Sequence, residues 1–528
     1  MQSHDYLLSM KISVSIVWFK RDLRVHDHAA LSAARAYGFP ILPLYVIEPD
    51  YWQQPTASRR HWHFIHDSLI ELREDCAFLG QPLVVRTGPI IDVFDAIRDD
   101  YKIKGIYAHE ETSNLWGYQR DEIVRHWCQT HAIQFHEYPT NGIVRRLRDR
   151  DGWARQRNQR MAAPLITSLD QLTPLAIEPG KILAKDDALF GEDVPGLTQT
   201  GGRRAGEKIL HSFLTTRGRE YLYRLSAPGP SEFHCSRLSA HLTWGTLSAR
   251  EIVKAVQNRR TKLSEADTKI WKRNLSAFNS RLSWRCHFMQ KIEDQPKIET
   301  DAMHPAFRNM PAVANEDDLF AAWSTGCTGY PFIDACMRNL IHEGWLTFRM
   351  RAMLVSFASY HLGIDWRRTG HFLARLFTDY EPGVHYSQIQ MQSGITGINA
   401  VRIYNPIKQS MDHDSEGVFI RRWVPELQNL SAMWVHEPAK MDTEMQRRVG
   451  CVIDQHYPAP IVDHKTAVQA ARARIATARK TAGFRDEAKK IYVKLGSRKR
   501  QGVRKAANKT VQIAKQLSFF DAKKCVLR

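Results

Sequence analysis

The stretch SVSIVWFKRDLRVHDHAAL, residues 13–31, sets the reading of the first third of the chain. Its first seven residues, rich in β-branched and aromatic side chains, predict a strand, and a charged Arg21-Asp22-Leu23-Arg24 segment follows directly. Further β-rich runs stand at 41–47 (ILPLYVI), 83–86 and 105–108, separated by segments with helical spacing such as 58–79 and 117–130. Strands alternating with helices need crossover connections. Residues 12–140 therefore predict an α/β domain whose parallel, Rossmann-like sheet is covered on both faces. In such a domain the loop after the first strand opens on the crevice at the carboxyl ends of the strands, where ligands bind.

Beyond residue 140 the pattern changes. Residues 141–205 carry little periodicity, several prolines and a Gly201-Gly202 pair, and read as a long inter-domain linker. From 206 to 480 the spacing is helical, for example over 249–260, 267–291 and 330–362, which predicts a large all-α domain. Residues 481–528 read as a basic C-terminal tail: 496–515 hold Arg498, Lys499, Arg500, Arg504, Lys505, Lys509 and Lys515 and no acid. A chain of 528 residues holds roughly two to four domains, which excludes a single small binding module. With 43% hydrophobic and 25% charged residues it has the balance of a globular protein, not of a disordered or membrane chain. The 75 Lys and Arg exceed the 56 Asp and Glu, and the resulting +19 attracts polyanions, nucleic acid first. Eight scattered cysteines lack the paired spacing of zinc or redox sites, so no metal is expected and free thiols point to a cytoplasmic location. No apolar run reaches the roughly 20 residues of a membrane span. A monomer is the expected state.

The specific matches lie in the second half: 235–239 (CSRLS) followed by 242–247, Trp284-Arg285, 328–334 (TGYPFID), Gly344-Trp345, Arg349, Arg351, 402–406 (RIYNP), 419–427 (FIRRWVPEL) and 457–465 (YPAPIVDHK). In this order and spacing, and with the opening strand and loop, the chain from about residue 12 to 480 resembles the DNA photolyase and cryptochrome family of blue-light flavoproteins. The resemblance implies an FAD-binding helical domain, UV-damaged DNA as partner, and an α/β domain that often holds an antenna chromophore: a folate, a deazaflavin or a second flavin. It assigns the FAD phosphates to Tyr223, Cys235 (a threonine in most relatives), Ser236, Arg237, Leu238 and Ser239, and further FAD contacts to Arg285. Serine hydroxyls at the start of a helix suit that role, because free N–H groups and the positive dipole end attract a pyrophosphate. Asp379, Tyr380 and Glu381 fall on the segment beside the isoalloxazine ring, where Asp379 is expected to pair with Arg351. His385 falls where the family faces flavin N5, and an imidazole there either donates, accepts or titrates.

Departures from the family pattern bear on activity. Arg281 stands where enzymes for cyclobutane dimers carry a glutamate that contacts the lesion, so an acceptor has become an obligate donor. Phe348 replaces an asparagine, and Thr347-Phe348 stands where six-four enzymes have a histidine pair. Trp366 matches the middle tryptophan of the family's electron-hopping series, but the one nearest the flavin is Ile389. The resemblance sets Arg281, Phe348, Arg349, Trp366 and His385 in the catalytic region, and Arg281, Arg349, Arg402 and Arg421 against DNA. The reading is an FAD-dependent, blue-light-driven photolyase that repairs pyrimidine dimers. The alternatives are a cryptochrome-type photoreceptor without repair, and a DNA-binding protein that keeps FAD as a structural ligand.

Overall fold

The structure, a computed structural model, describes residues 11–167, 171–193, 196–310 and 313–498. Five parallel strands, β1 (Ser13–Phe19), β2 (Ile41–Ile47), β3 (Val84–Thr87), β4 (Lys102–His109) and β5 (Gln134–Tyr138), form one sheet in the order β3-β2-β1-β4-β5. The register sets Trp18 beside Leu44 and Ala108, and Phe19 beside Tyr45. Alternate residues feed two cores. Val17, Phe19, Tyr45, Ile47 and Val85 pack with the helix Arg59–Phe78, while Ile16, Trp18, Leu44, Val46 and Ile106 pack with Ile90–Asp100 and Leu115–Thr130. Both faces are thus buried, as a doubly covered parallel sheet requires. β5 (QFHEY) has no apolar run because it is an edge strand of intermediate exposure, and its sequence gave no strand signal.

Residues 141–205 are more structured than the linker expectation. They include the helix Trp153–Ala162, and a stretch that lies along the β3 edge, with Val85 N–H donating to Pro179 O at 2.7 Å and Leu172 N–H to Leu79 O at 2.6 Å. Covering an edge in this way removes a row of unpaired backbone groups.

The rest is helical, and the helices that line one cavity matter here: Ser239–Thr243, Glu265–Asp294, Phe348–Ser356 and Pro382–Gln392, with Trp366–Leu376 leading into its loop 377–381. The helical pattern over 330–362 is broken at Gly344, whose φ of +64° is left-handed and whose missing Cβ leaves room for Arg60 and Thr378. The break turns 345–352 toward the cavity. The expected tail also begins as folded chain: Phe484–Leu495 is a helix, and the Phe484 ring packs on His304 with centroids 3.9 Å apart. Of the seven basic tail residues only Arg498 lies within the described residues, where it pairs with Asp151.

Candidate functional site

A cavity of about 290 Å³ opens between the loop 235–239, the helix Glu265–Asp294, the segment 345–352, the loop 377–381 and the helix Pro382–Gln392. On the long helix Phe278, Arg281, Leu282, Arg285 and Phe288 recur every three or four positions, which turns them to one face and makes that face a cavity wall. Phe278, Leu282 and Phe288 were not singled out from sequence, although this spacing carries the signal.

Charged groups hold the two sides together. Arg351 donates twice to Asp379, Nη1 to Oδ1 and Nη2 to Oδ2, each at 2.9 Å, and its guanidinium lies 4.0 Å over the Phe377 ring. This is the expected pair, in the bidentate geometry that gives such contacts strength and direction. Burial works to raise the Asp379 pKa, but the Arg351 charge and hydrogen bonds from Arg351 and the Ser239 hydroxyl hold it below the usual carboxylate value. Arg285 Nη2 donates to Glu381 Oε2 at 2.6 Å and to Leu242 O at 3.0 Å. Arg237 has a left-handed φ of +59° and stacks over Trp345 at 4.2 Å, and Arg281 stacks over Trp284 at 4.4 Å and meets the Tyr221 hydroxyl. Five arginines (237, 281, 285, 349 and 351) thus face two carboxylates across walls that are otherwise largely apolar and aromatic. Such a surplus attracts an anion.

His385 has one defined role. Its Nε2 lies 2.9 Å from Gly370 O, which only accepts, so Nε2 carries the proton. Burial pushes the pKa down to about 4, so the ring is neutral and Nδ1 is its single acceptor.

Of the residues named from sequence, Cys235, Ser236, Arg237, Leu238, Ser239, Arg281, Arg285, Phe348, Arg349, Arg351, Asp379, Tyr380, Glu381, His385 and Ile389 all line the cavity. Four do not. Tyr223 is 65% exposed, and the tyrosine of this stretch that reaches the wall is Tyr221, two positions earlier, because the turn from Arg217 to Arg224 faces Tyr221 inward against Phe213 and Phe278. Trp366 is packed in the helical core. Arg421 spends its guanidinium on the carbonyls of Leu430 and Glu416, and Arg402 lies on the segment before Pro406–His413. Ser239 stands at the start of a helix, as expected, and neither serine is spent on capping it. Ser239 is the first residue of a five-residue helix whose N-cap is Leu238, and the Ser236 hydroxyl accepts from Leu238 N–H at 3.4 Å.

The cavity's polar groups suit FAD. Glu381 Oε1 and Gln388 Nε2 are buried in its wall without a protein partner, an acceptor and a donor that a flat polar ring edge would satisfy. Cationic Arg237 beside Ser236 and Ser239 suits a pyrophosphate.

The crevice at the strand ends is different. Asp22 Oδ2 accepts from His109 Nδ1 at 2.7 Å and His28 Nε2 at 3.0 Å, while the outer nitrogens of both rings accept backbone N–H groups of Ala29 and Leu31. Burial drives both histidines down, His109 to about 3, so both are neutral. These are the groups closest to a metal-ligand cluster among the described residues, yet every ring nitrogen already has a partner. Next to them Lys20, Glu48, Glu111, Arg120 and Asp121 form a buried ion network, with Arg120 to Glu111 at 2.7 Å and Lys20 to Asp121 at 3.2 Å, leaving a cleft of about 40 Å³.

Comparison with known proteins agrees with this geometry. The family model described as DNA photolyase matches residues 15–152, and the one described as FAD binding domain of DNA photolyase matches 278–477. The deoxyribodipyrimidine photo-lyase of Alkalihalophilus pseudofirmus is 28% identical over 478 residues, 86% of this chain and 95% of that protein. The cryptochrome DASH of Gloeobacter violaceus is 28% identical over 482 residues, 86% of this chain and 94% of that protein. A bacterial class III photolyase from Agrobacterium tumefaciens shares the fold with a TM-score of 0.77 at 24% identity, covering 90% of this chain and 100% of that one. Among the described residues no helix is long and apolar enough to cross a membrane.

Proposed function

Because the chain belongs to the DNA photolyase and cryptochrome family, we propose that it is a deoxyribodipyrimidine photolyase-type lyase that binds UV-damaged DNA and splits pyrimidine dimers under blue light. The observation that carries this reading is the conjunction, in one cavity, of the Arg351–Asp379 pair, neutral His385 and a surplus of arginines on aromatic walls. FAD, when bound and reduced, supplies an electron to the lesion on excitation. The chain's own residues do the rest. Ser236, Arg237 and Ser239 hold the phosphates. Glu381, Gln388 and the Arg351–Asp379 pair meet the polar ring edge, and His385 offers an acceptor at Nδ1. A base cannot be reached within a stacked duplex, so the lesion is extruded, and it stacks on Trp284 and Trp345 where Arg281 and Arg237 do not cover them. Arg281 and Arg349 donate to its carbonyls or to nearby phosphates.

Holding a second chromophore in the α/β domain, as the archaeal photolyase from Sulfolobus tokodaii holds two FAD molecules, is a further proposal, and absorbance of the purified protein beyond that of one flavin tests it. A photoreceptor without repair is the second reading, favoured by Arg281, engaged with Tyr221 and Trp284, and by aliphatic Ile389 on the cavity wall. The deciding assay is irradiation of chemically reduced protein with oligonucleotides carrying cyclobutane or six-four dimers. Loss of either lesion supports the photolyase. Loss of neither leaves the photoreceptor, and purified protein without flavin absorbance removes both.

A further inference from the structure

The Arg21-Asp22-Leu23-Arg24 loop lines the cleft at the strand ends and reaches beyond it. It grips the helical domain. Arg21 Nη2 donates to Tyr380 O at 2.7 Å and Nε to Thr243 O at 3.3 Å, with its guanidinium 4.7 Å over the Trp244 ring. Leu23 N–H donates to Trp244 O at 3.1 Å, and Arg24 Nη1 to Gly245 O at 2.7 Å. The backbones meet so closely that a Cβ on Gly245 would collide with Arg21 O and the Asp22 Cα. The helix Trp366–Leu376 and the loop that follows are held the same way. His61 Nε2 lies 3.1 and 3.0 Å from the carbonyls of Ala374 and Phe377, and Ser58 Oγ donates to Arg375 O at 2.8 Å. Within the helical domain Trp244 Nε1 donates to Thr378 O at 3.0 Å and Thr243 Oγ1 to Asp379 O at 3.3 Å. From Ala374 to Tyr380, nearly every carbonyl of the segment that carries Asp379 and Glu381 is thus pinned from outside. A helix C-terminus leaves such carbonyls without intrahelical partners, and here Ser58, His61 and Arg21 of the other domain hold those of Ala374, Arg375, Phe377 and Tyr380.

Arg21 is the one side chain in this set from the α/β domain that spans both loops: Thr243, on the short helix after the 235–239 loop, and Tyr380, between the two acids. We propose that Arg21 is a positioning residue through which the α/β domain fixes the acid-bearing side of the cavity relative to its phosphate side. The α/β domain then serves the cavity as a brace. Part of the inference, its effect on bound flavin, rests on the reading of the cavity as an FAD site; the effect on the loop itself does not.

The test compares Arg21→Met and Arg21→Lys with the full-length wild type. In the flavin-loaded protein, Arg21→Met is expected to raise the FAD dissociation constant about tenfold and to change the visible circular dichroism of the flavin, because the groups around the ring shift. Arg21→Lys, which keeps the charge and one donor, is expected to recover part of both. In flavin-free protein, amide hydrogen exchange over residues 378–381 is expected to quicken in Arg21→Met while β1 and β4 stay protected. Unchanged exchange over 378–381 overturns the brace, as does a fall in melting temperature with flavin affinity and dichroism untouched. If the wild type binds no FAD, the reading of the cavity fails, and exchange alone decides the role of Arg21.

Discussion

Two places in this molecule concentrate charge, and they are built on opposite plans. At the strand ends of the α/β domain, Lys20, Glu48, Glu111, Arg120 and Asp121 pair with one another, and Asp22 is closed off by two neutral imidazoles. In the helical domain five arginines meet two carboxylates, and Glu381 Oε1 is buried without a protein partner. A network whose every donor has its acceptor is architecture. A half-buried surplus of one sign, with an orphaned buried acceptor beside it, is a place for a ligand, because leaving such groups unmatched costs free energy that a bound partner restores.

Breaking each region separately sharpens the contrast. Asp379→Ala leaves Arg351 without its partner in the cavity wall and is expected to cost about 3 kcal/mol of stability and to abolish flavin retention, measured by denaturant unfolding and by absorbance of the purified protein. Asp22→Ala strands two imidazole N–H groups and is expected to cost about 2 kcal/mol while the flavin content stays at the wild-type level. Flavin loss in that variant would erase the distinction between the regions.

Acid reaches both. His385 and His109 are neutral when buried, with pKa values lowered to about 4 and about 3. Between the unfolded value near 6.5 and these folded values, protons bind the unfolded chain preferentially, so stability is full above about 6.5 and falls as pH drops through that window. His385→Gln is expected to flatten this dependence in unfolding curves recorded from pH 7 to 4. A smaller effect belongs to the rim. Arg281→Ala is expected to weaken binding of a dimer-containing oligonucleotide about tenfold and to lower the salt slope by about one, with flavin bound as before. The smallest belongs to Tyr223, whose exposed ring predicts that Tyr223→Ala leaves FAD affinity within about twofold, whereas Tyr221→Ala does not.

Much of this was legible in the chain. β1 and β2 were readable because both faces of each are buried and the runs are largely apolar, and β5 was not, because an edge strand needs no such run. The Arg351–Asp379 pair follows from the family resemblance, as does most of the cavity wall. Tyr223 was misplaced because counting back from Cys235 assumes a fixed backbone path, and the turns between 216 and 228 select Tyr221. The long helical pattern over 330–362 hides its break, since apolar spacing continues across Gly344 and only the approach of Arg60 and Thr378 explains the turn.

By itself the sequence determined the α/β-then-helical order, the excess positive charge, and the identity of the residues that a flavin site would use. The first two depend on local periodicity and composition, and the third on the family resemblance. The tertiary structure decided which charges are spent on one another and which face a cavity, that His385 presents an acceptor, and that the loop after β1 holds the helical domain. These depend on distances between segments far apart in the chain, as in Arg21 and Tyr380, and no local pattern encodes them.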